Sequence, residues 1–112
     1  MRKVRRLSDE AAAVLRVFTA EPSKERFGLE LIRLAEIDSG SLYPILHRFE
    51  EREFLLGSWE DFTIATEEKR RPRRKYQLNP HMADRALDLL EEWRRARGAP
   101  APRALEPNSG AA

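Results

Sequence analysis

Six of the seven residues in Lys69-Arg-Arg-Pro-Arg-Arg-Lys75 are cationic, and four more basic residues fall within Met1–Arg6. Charge at that density suits a nucleic-acid backbone, where arginine can hold a phosphate through two parallel hydrogen bonds. Lys69, Arg70, Arg71, Arg73, Arg74 and Lys75 are therefore candidate phosphate contacts. A solvated loop has the same composition, so the surrounding fold must decide. A second set lies upstream: Ser39, Ser41, Tyr43, His47 and Arg48. Hydroxyl, aromatic and basic groups on one stretch of helix can touch phosphate, groove wall and base edges, and arginine can bridge guanine O6 and N7. The plainer readings are caps for the two serines, a half-buried core position for Tyr43, and an ion pair with Glu51 or an adjacent glutamate for Arg48.

Other chemistries find no residues to carry them. There is no Ser/His/Asp set, no glycine-rich phosphate loop and no isolated carboxylate pair, so catalysis is not expected. Cysteine is absent, and His47 and His81 are too far apart for a zinc site, so neither disulfide, metal nor cofactor is expected. The 112 residues make one domain at most, and 21 basic against 19 acidic residues leave a net charge of only +2. The basic character thus matters by its distribution. No apolar run approaches the roughly 20 residues of a membrane span, and the basic start lacks the apolar segment of a signal peptide. A cytoplasmic protein with no membrane partner is expected.

The elements that must position these groups follow from periodicity. Residues 1–7 read as a basic arm. Ser8 caps a helix over about 8–20, on which Leu7, Ala11, Val14, Leu15 and Phe18 recur at helical spacing. A second helix spans about 25–36, with Gly28, Leu31, Ile32 and Ala35 inward. A third spans about 40–54, burying Leu42, Ile45, Leu46 and Phe49 and exposing the face that carries Tyr43 and His47. Two short strands, about 55–60 and 75–78, joined by the basic loop, read as a hairpin. Asn79 and Pro80 open a last helix through about 97, and residues 98–112 read as a disordered tail. Three helices followed by a hairpin form the winged helix-turn-helix plan, in which the third helix enters the major groove and the wing meets the backbone. The expected class is mainly α with a small β hairpin, with a DNA-binding domain over 8–79 and a C-terminal dimerisation helix over 80–97.

The blocks Gly40-Ser-Leu-Tyr-Pro-Ile-Leu-His-Arg-Phe-Glu-Glu-Arg52, Trp59-Glu60 and Arg71-Pro-Arg-Arg-Lys-Tyr-Gln-Leu78, with Phe27-Gly28-Leu-Glu-Leu31 before them, resemble the signature of PadR-like transcriptional regulators. The resemblance spans about residues 10–93. It implies a homodimeric winged helix on an inverted-repeat operator in double-stranded DNA, often a repressor released by a small molecule. Three positions depart from the pattern. Glu53 replaces the glycine after the third helix, which implies a differently made turn; Arg71 replaces a glycine in the wing; and Leu78-Asn-Pro-His-Met82 replaces the usual start of the last helix.

Met82, Ala86, Leu87, Leu90 and Trp93 make a broad apolar stripe, read as a dimer interface that packs near Val14 and Phe18 of the partner subunit. Packing on the chain's own first helix is the simpler alternative. Trp93 is also a candidate to sandwich a small aromatic effector, as some regulators resembling this chain do, although packing is its plainer role. A winged-helix adaptor that binds protein rather than DNA is the rival function.

Overall fold

The computed structural model describes residues 7–98. The expected basic arm, apart from Leu7, and the expected tail, apart from Gly98, lie outside the described residues. Helix α1 spans Asp9–Ala20, strand β1 Arg26–Phe27, helix α2 Gly28–Ala35, helix α3 Ser39–Glu51, strand β2 Leu55–Trp59, helix α4 Phe62–Glu67, strand β3 Arg74–Leu78 and helix α5 Ala83–Ala96. A 3₁₀ turn over Pro80–Met82 leads into α5, with Asn79 accepting from the His81 amide at 3.0 Å.

The apolar spacing read from the sequence closes one core. Val14, Leu15 and Phe18 of α1, Leu31 of α2, Leu42 and Leu46 of α3, Leu55 of β2 and Leu78 of β3 are all but inaccessible. Ser8 caps α1 by accepting from the Ala11 amide at 3.0 Å, and Asp9 and Glu10 occupy the first turn, where the helix dipole favours anions.

Two elements depart from the expected plan. The sheet has three antiparallel strands in the order β1-β3-β2, because Arg26 and Phe27 pair with Tyr76 and Lys75 instead of starting the second helix. A two-residue strand carries no periodicity to read. The Arg26 side chain, only 7 % exposed, anchors this strand through Glu21 at 2.5 Å and Glu30 at 2.9 Å. The second departure is α4, which interrupts the wing where a plain loop was expected. Thr63, Ile64 and Thr66 are β-branched and disfavour helix. The missed signal was Asp61, whose carboxylate accepts from the Thr63 amide at 2.7 Å and so caps the helix.

The turn after α3 is made as a glycine would make it. Glu53 has φ +66, the Glu53 amide bonds the Glu50 carbonyl at 2.9 Å, and the Phe54 amide reaches back to Phe49 at 2.9 Å. This paired arrangement is a Schellman ending with glutamate in the left-handed position. Asn79 fastens the turn from outside by donating to the Glu53 carbonyl at 2.8 Å. The left-handed conformation costs an L-residue about 1–2 kcal/mol, partly offset in glycine by its greater loss of chain entropy. Glu53→Gly is therefore expected to stabilise the fold by about 0.5–1 kcal/mol, read as a raised midpoint in urea with an unchanged slope.

Candidate nucleic-acid interface

Helix α3 offers one open face. Leu42, Ile45, Leu46 and Phe49 turn inward, while Tyr43, Pro44, His47, Arg48 and Glu51 are exposed. The helix begins at Ser39, but its cap is Asp38, whose carboxylate accepts from the Ser41 amide at 2.8 Å. The capping role expected of Ser39 and Ser41 thus belongs to Asp38. Ser39 is exposed and Ser41 half-buried, and a carboxylate stands where a phosphate would approach the helix end. Glu51 pairs with His47 at 3.2 Å rather than with Arg48. Arg48 lies on the flank of the face, lining a hollow with Leu7, Ser8, Phe49 and Leu89.

Tyr43 is 47 % exposed, and its placement depends on a glycine. A Cβ added at Gly28, the first residue of α2, would overlap the Tyr43 hydroxyl and crowd its ring. The absent side chain lets the phenol lie against α2. In Gly28→Ala the fold should survive, since the phenol can swing away, but the Tyr43 ring signals in an NMR spectrum should move as far as those of a side chain released into solvent.

The basic cluster in the wing folds largely onto carboxylates. Arg70 grips Glu60 with two bonds, at 2.6 and 2.8 Å, and also donates to Glu68 at 2.9 Å. Arg73 lies 3.8 Å from Glu68 and over the Phe27 ring. Lys75 pairs with Glu25 at 3.2 Å. Arg74 bonds Glu50 of α3 at 2.5 Å, and its guanidinium lies 5.4 Å from the Trp59 ring centre and 5.8 Å from that of Tyr76. A Cβ at Gly57 would strike both partners of that Glu50–Arg74 pair, so glycine is what admits the contact. Among the described residues of the cluster, Lys69 and Arg71 are exposed and carry no carboxylate partner.

Glu60 is the centre of the wing's inner network. It is 8 % exposed, and the Arg70 hydrogen bonds outweigh its desolvation, with the Arg73 amide adding a third contact at 3.0 Å. Its carboxyl is lowered from an ordinary 4.5 to about 2. A depressed acid stabilises the folded form fully above its unfolded value and loses that contribution as pH falls through its folded one. The Tm difference between wild type and Glu60→Gln should therefore be largest at neutral pH. It should narrow below about pH 5, with the ionised carboxylate's contribution lost only below about pH 2.

The residues read as a dimer interface divide. Val14, Phe18 and Ala86 are at 0 % exposure inside the chain's own core, where a partner cannot reach them. This corrects their assignment to an interface: α5 packs across α1 of the same chain. Met82, Leu90 and Trp93 are half-buried, and Leu87 is 53 % exposed. Leu87, Leu90 and Trp93 line an open groove with Val17 and Leu34. Trp93 is already engaged: its indole donates to Asp9 at 2.9 Å, and Arg16 and Arg97 lie over its ring at 5.5 and 5.4 Å. A flat ligand stacking on this tryptophan would have to displace a guanidinium.

No group of residues suited to hold a metal ion occurs among the described residues, and no helix among them is long and apolar enough to cross a membrane. No family model matches the chain, and no curated protein matches it. Among solved structures, Pex from Synechococcus sp. is similar over 83% of this chain and 85% of its own, with 30% identity and a TM-score of 0.57. The circadian clock associated protein Pex from anabaena is similar over 82% of each chain, with 28% identity and a TM-score of 0.57. The chain belongs to the Pex family. This Pex-family chain has the winged-helix plan, mainly helical with a small antiparallel sheet. Sequence reasoning passed over three of its working residues: Glu50, Gly57 and Glu60. The partners of the two glutamates lie 10 to 24 residues away in the chain, beyond any local pattern.

Proposed function

We propose that this chain is a DNA-binding transcriptional regulator. In this reading α3 enters the major groove, presenting Tyr43, His47 and Arg48, while Lys69 and Arg71 of the wing meet the flanking phosphates. The observation that carries it is the tie between the two elements: the Glu50–Arg74 pair joins the wing to α3 at 2.5 Å. Fold similarity to Pex and the PadR-like motif blocks add support.

The working unit is a dimer on an inverted repeat. Leu87, Leu90 and Leu34 around the open groove are the surface a second copy would cover. A twofold dimer sets the two α3 helices about 34 Å apart, one DNA turn. Bound at a promoter, it acts as a repressor by excluding polymerase. A small aromatic effector near Trp93, or another partner that changes the angle between subunits, would release it.

Selection from a random duplex pool tests the reading directly. The expected product is a pair of inverted half-sites centred about 10–10.5 base pairs apart. Because most wing cations are already neutralised, the fall of log affinity with log salt should be shallow. Lys69→Ala and Arg71→Ala should each lower that slope by about one, the share of a single phosphate. Leu87→Arg should convert the dimer to monomer in sedimentation velocity. The self-pairing of Arg70, Arg73, Arg74 and Lys75 also favours a second reading, a protein-binding adaptor. That reading would gain if no duplex were bound at low salt.

A further inference from the structure

The wing presents aromatic surface that the core does not use. Trp59 is 62 % exposed and Phe62 70 % exposed. Trp59, Phe62, Pro72, Arg71 and Glu60 line an open hollow of about 510 Å³. A loop whose task was only to place cations would not need these rings. Helix α4 instead lifts Phe62 into water as its first residue.

Charge identifies what would cover such a surface. Glu60, the acid in the hollow, is already neutralised by Arg70. Asp61, next to Phe62, is held by the Thr63 amide and keeps its charge. Arg71, which lines the hollow, carries no carboxylate partner among the described residues. Aromatic faces with cations at the edge match an occupant that is flat and apolar within and anionic at its margin. A base step flanked by its phosphates has that chemistry.

Position gives the second argument. Side chains alternate along a strand, so Leu55, Gly57 and Trp59 share one face of β2. At Gly57 that face meets Glu50 of α3, so Trp59 stands on the α3 side of the sheet, about 7 Å further out along the strand. Arg74 lies over both Trp59 and Tyr76 and bonds Glu50 of α3. A run of Glu50, Arg74 and Trp59 thus joins the end of α3 to the outer end of β2.

We propose that Trp59 and Phe62 form an apolar wedge that enters a base step in the groove beside the one α3 occupies, partly unstacking it and kinking the duplex. The proposal rests on the DNA-binding reading above and adds to it a deformation of the partner.

The test uses the full chain on a duplex recovered by the pool selection, with 2-aminopurine at successive steps outside each half-site and a dye pair at the duplex ends. Binding should brighten 2-aminopurine at one step per half-site and shorten the end-to-end distance. Phe62→Ala touches only an exposed ring and should abolish both signals, weaken binding roughly ten- to a hundredfold, and leave the salt slope unchanged. Trp59→Ala should act alike, whereas Trp59→Phe should keep the bend. A wild-type complex that is straight and dark at every step would overturn the wedge while leaving DNA binding in place. So would a bend that survives Phe62→Ala, or a change of oligomeric state in Phe62→Ala with the bend intact, which would assign the patch to protein contact. Failure to bind any duplex at low salt removes the wedge and the DNA-binding reading together.

Discussion

The arrangement of this molecule turns on one guanidinium. Arg74 is bonded to Glu50 at the end of α3 and lies over Trp59 and Tyr76 in the wing. A charge-assisted bond in a partly shielded place is stronger and more directional than a solvent-exposed pair. The two rings limit the ways Arg74 can turn. Pairing of β3 with β1 already joins the wing to the body of the molecule, and the Glu50–Arg74 bond adds a direct link from the wing to α3. Gly57 is the residue whose missing side chain makes room for it.

The same economy governs the charges. Clustered arginines repel one another, and the fold relieves the repulsion by drawing in Glu25, Glu50, Glu60 and Glu68. The result is a wing that is stiff and internally neutralised rather than a loose cationic brush. In the proposed DNA-binding role such a wing would lean less on bulk attraction to phosphate and more on shape and a few unpaired cations. The part-buried Glu60–Arg70 pair serves this stiffness, its two hydrogen bonds outweighing the desolvation of Glu60.

Much of the scaffold was legible because it is local. The stripe Leu42, Ile45, Leu46 and Phe49 announced both the third helix and its buried side, and Asn79-Pro80 announced the start of the last one. Ser8 was legible as a cap for the same reason. What escaped was short or against propensity. Strand β1 has two residues, and α4 is built from residues that favour strands. The turn at Glu53 was misjudged in the opposite sense: a glycine is cheapest in the left-handed region, yet two backbone bonds and Asn79 hold a glutamate there.

By itself the sequence determined which faces of the long helices are apolar, that Ser8 caps the first helix, and that cations gather toward the end of the wing, since each of these depends on neighbours within a turn or two. Only the tertiary structure decided which charges remain unpaired, which side of the sheet Trp59 faces, and that Val14, Phe18 and Ala86 are enclosed by their own chain. The physical reason is range. Burial and ion pairing are set by groups that the fold brings together from distant positions, as with Glu50 and Arg74 or Asp9 and Trp93, and no spacing along the chain encodes who those neighbours will be.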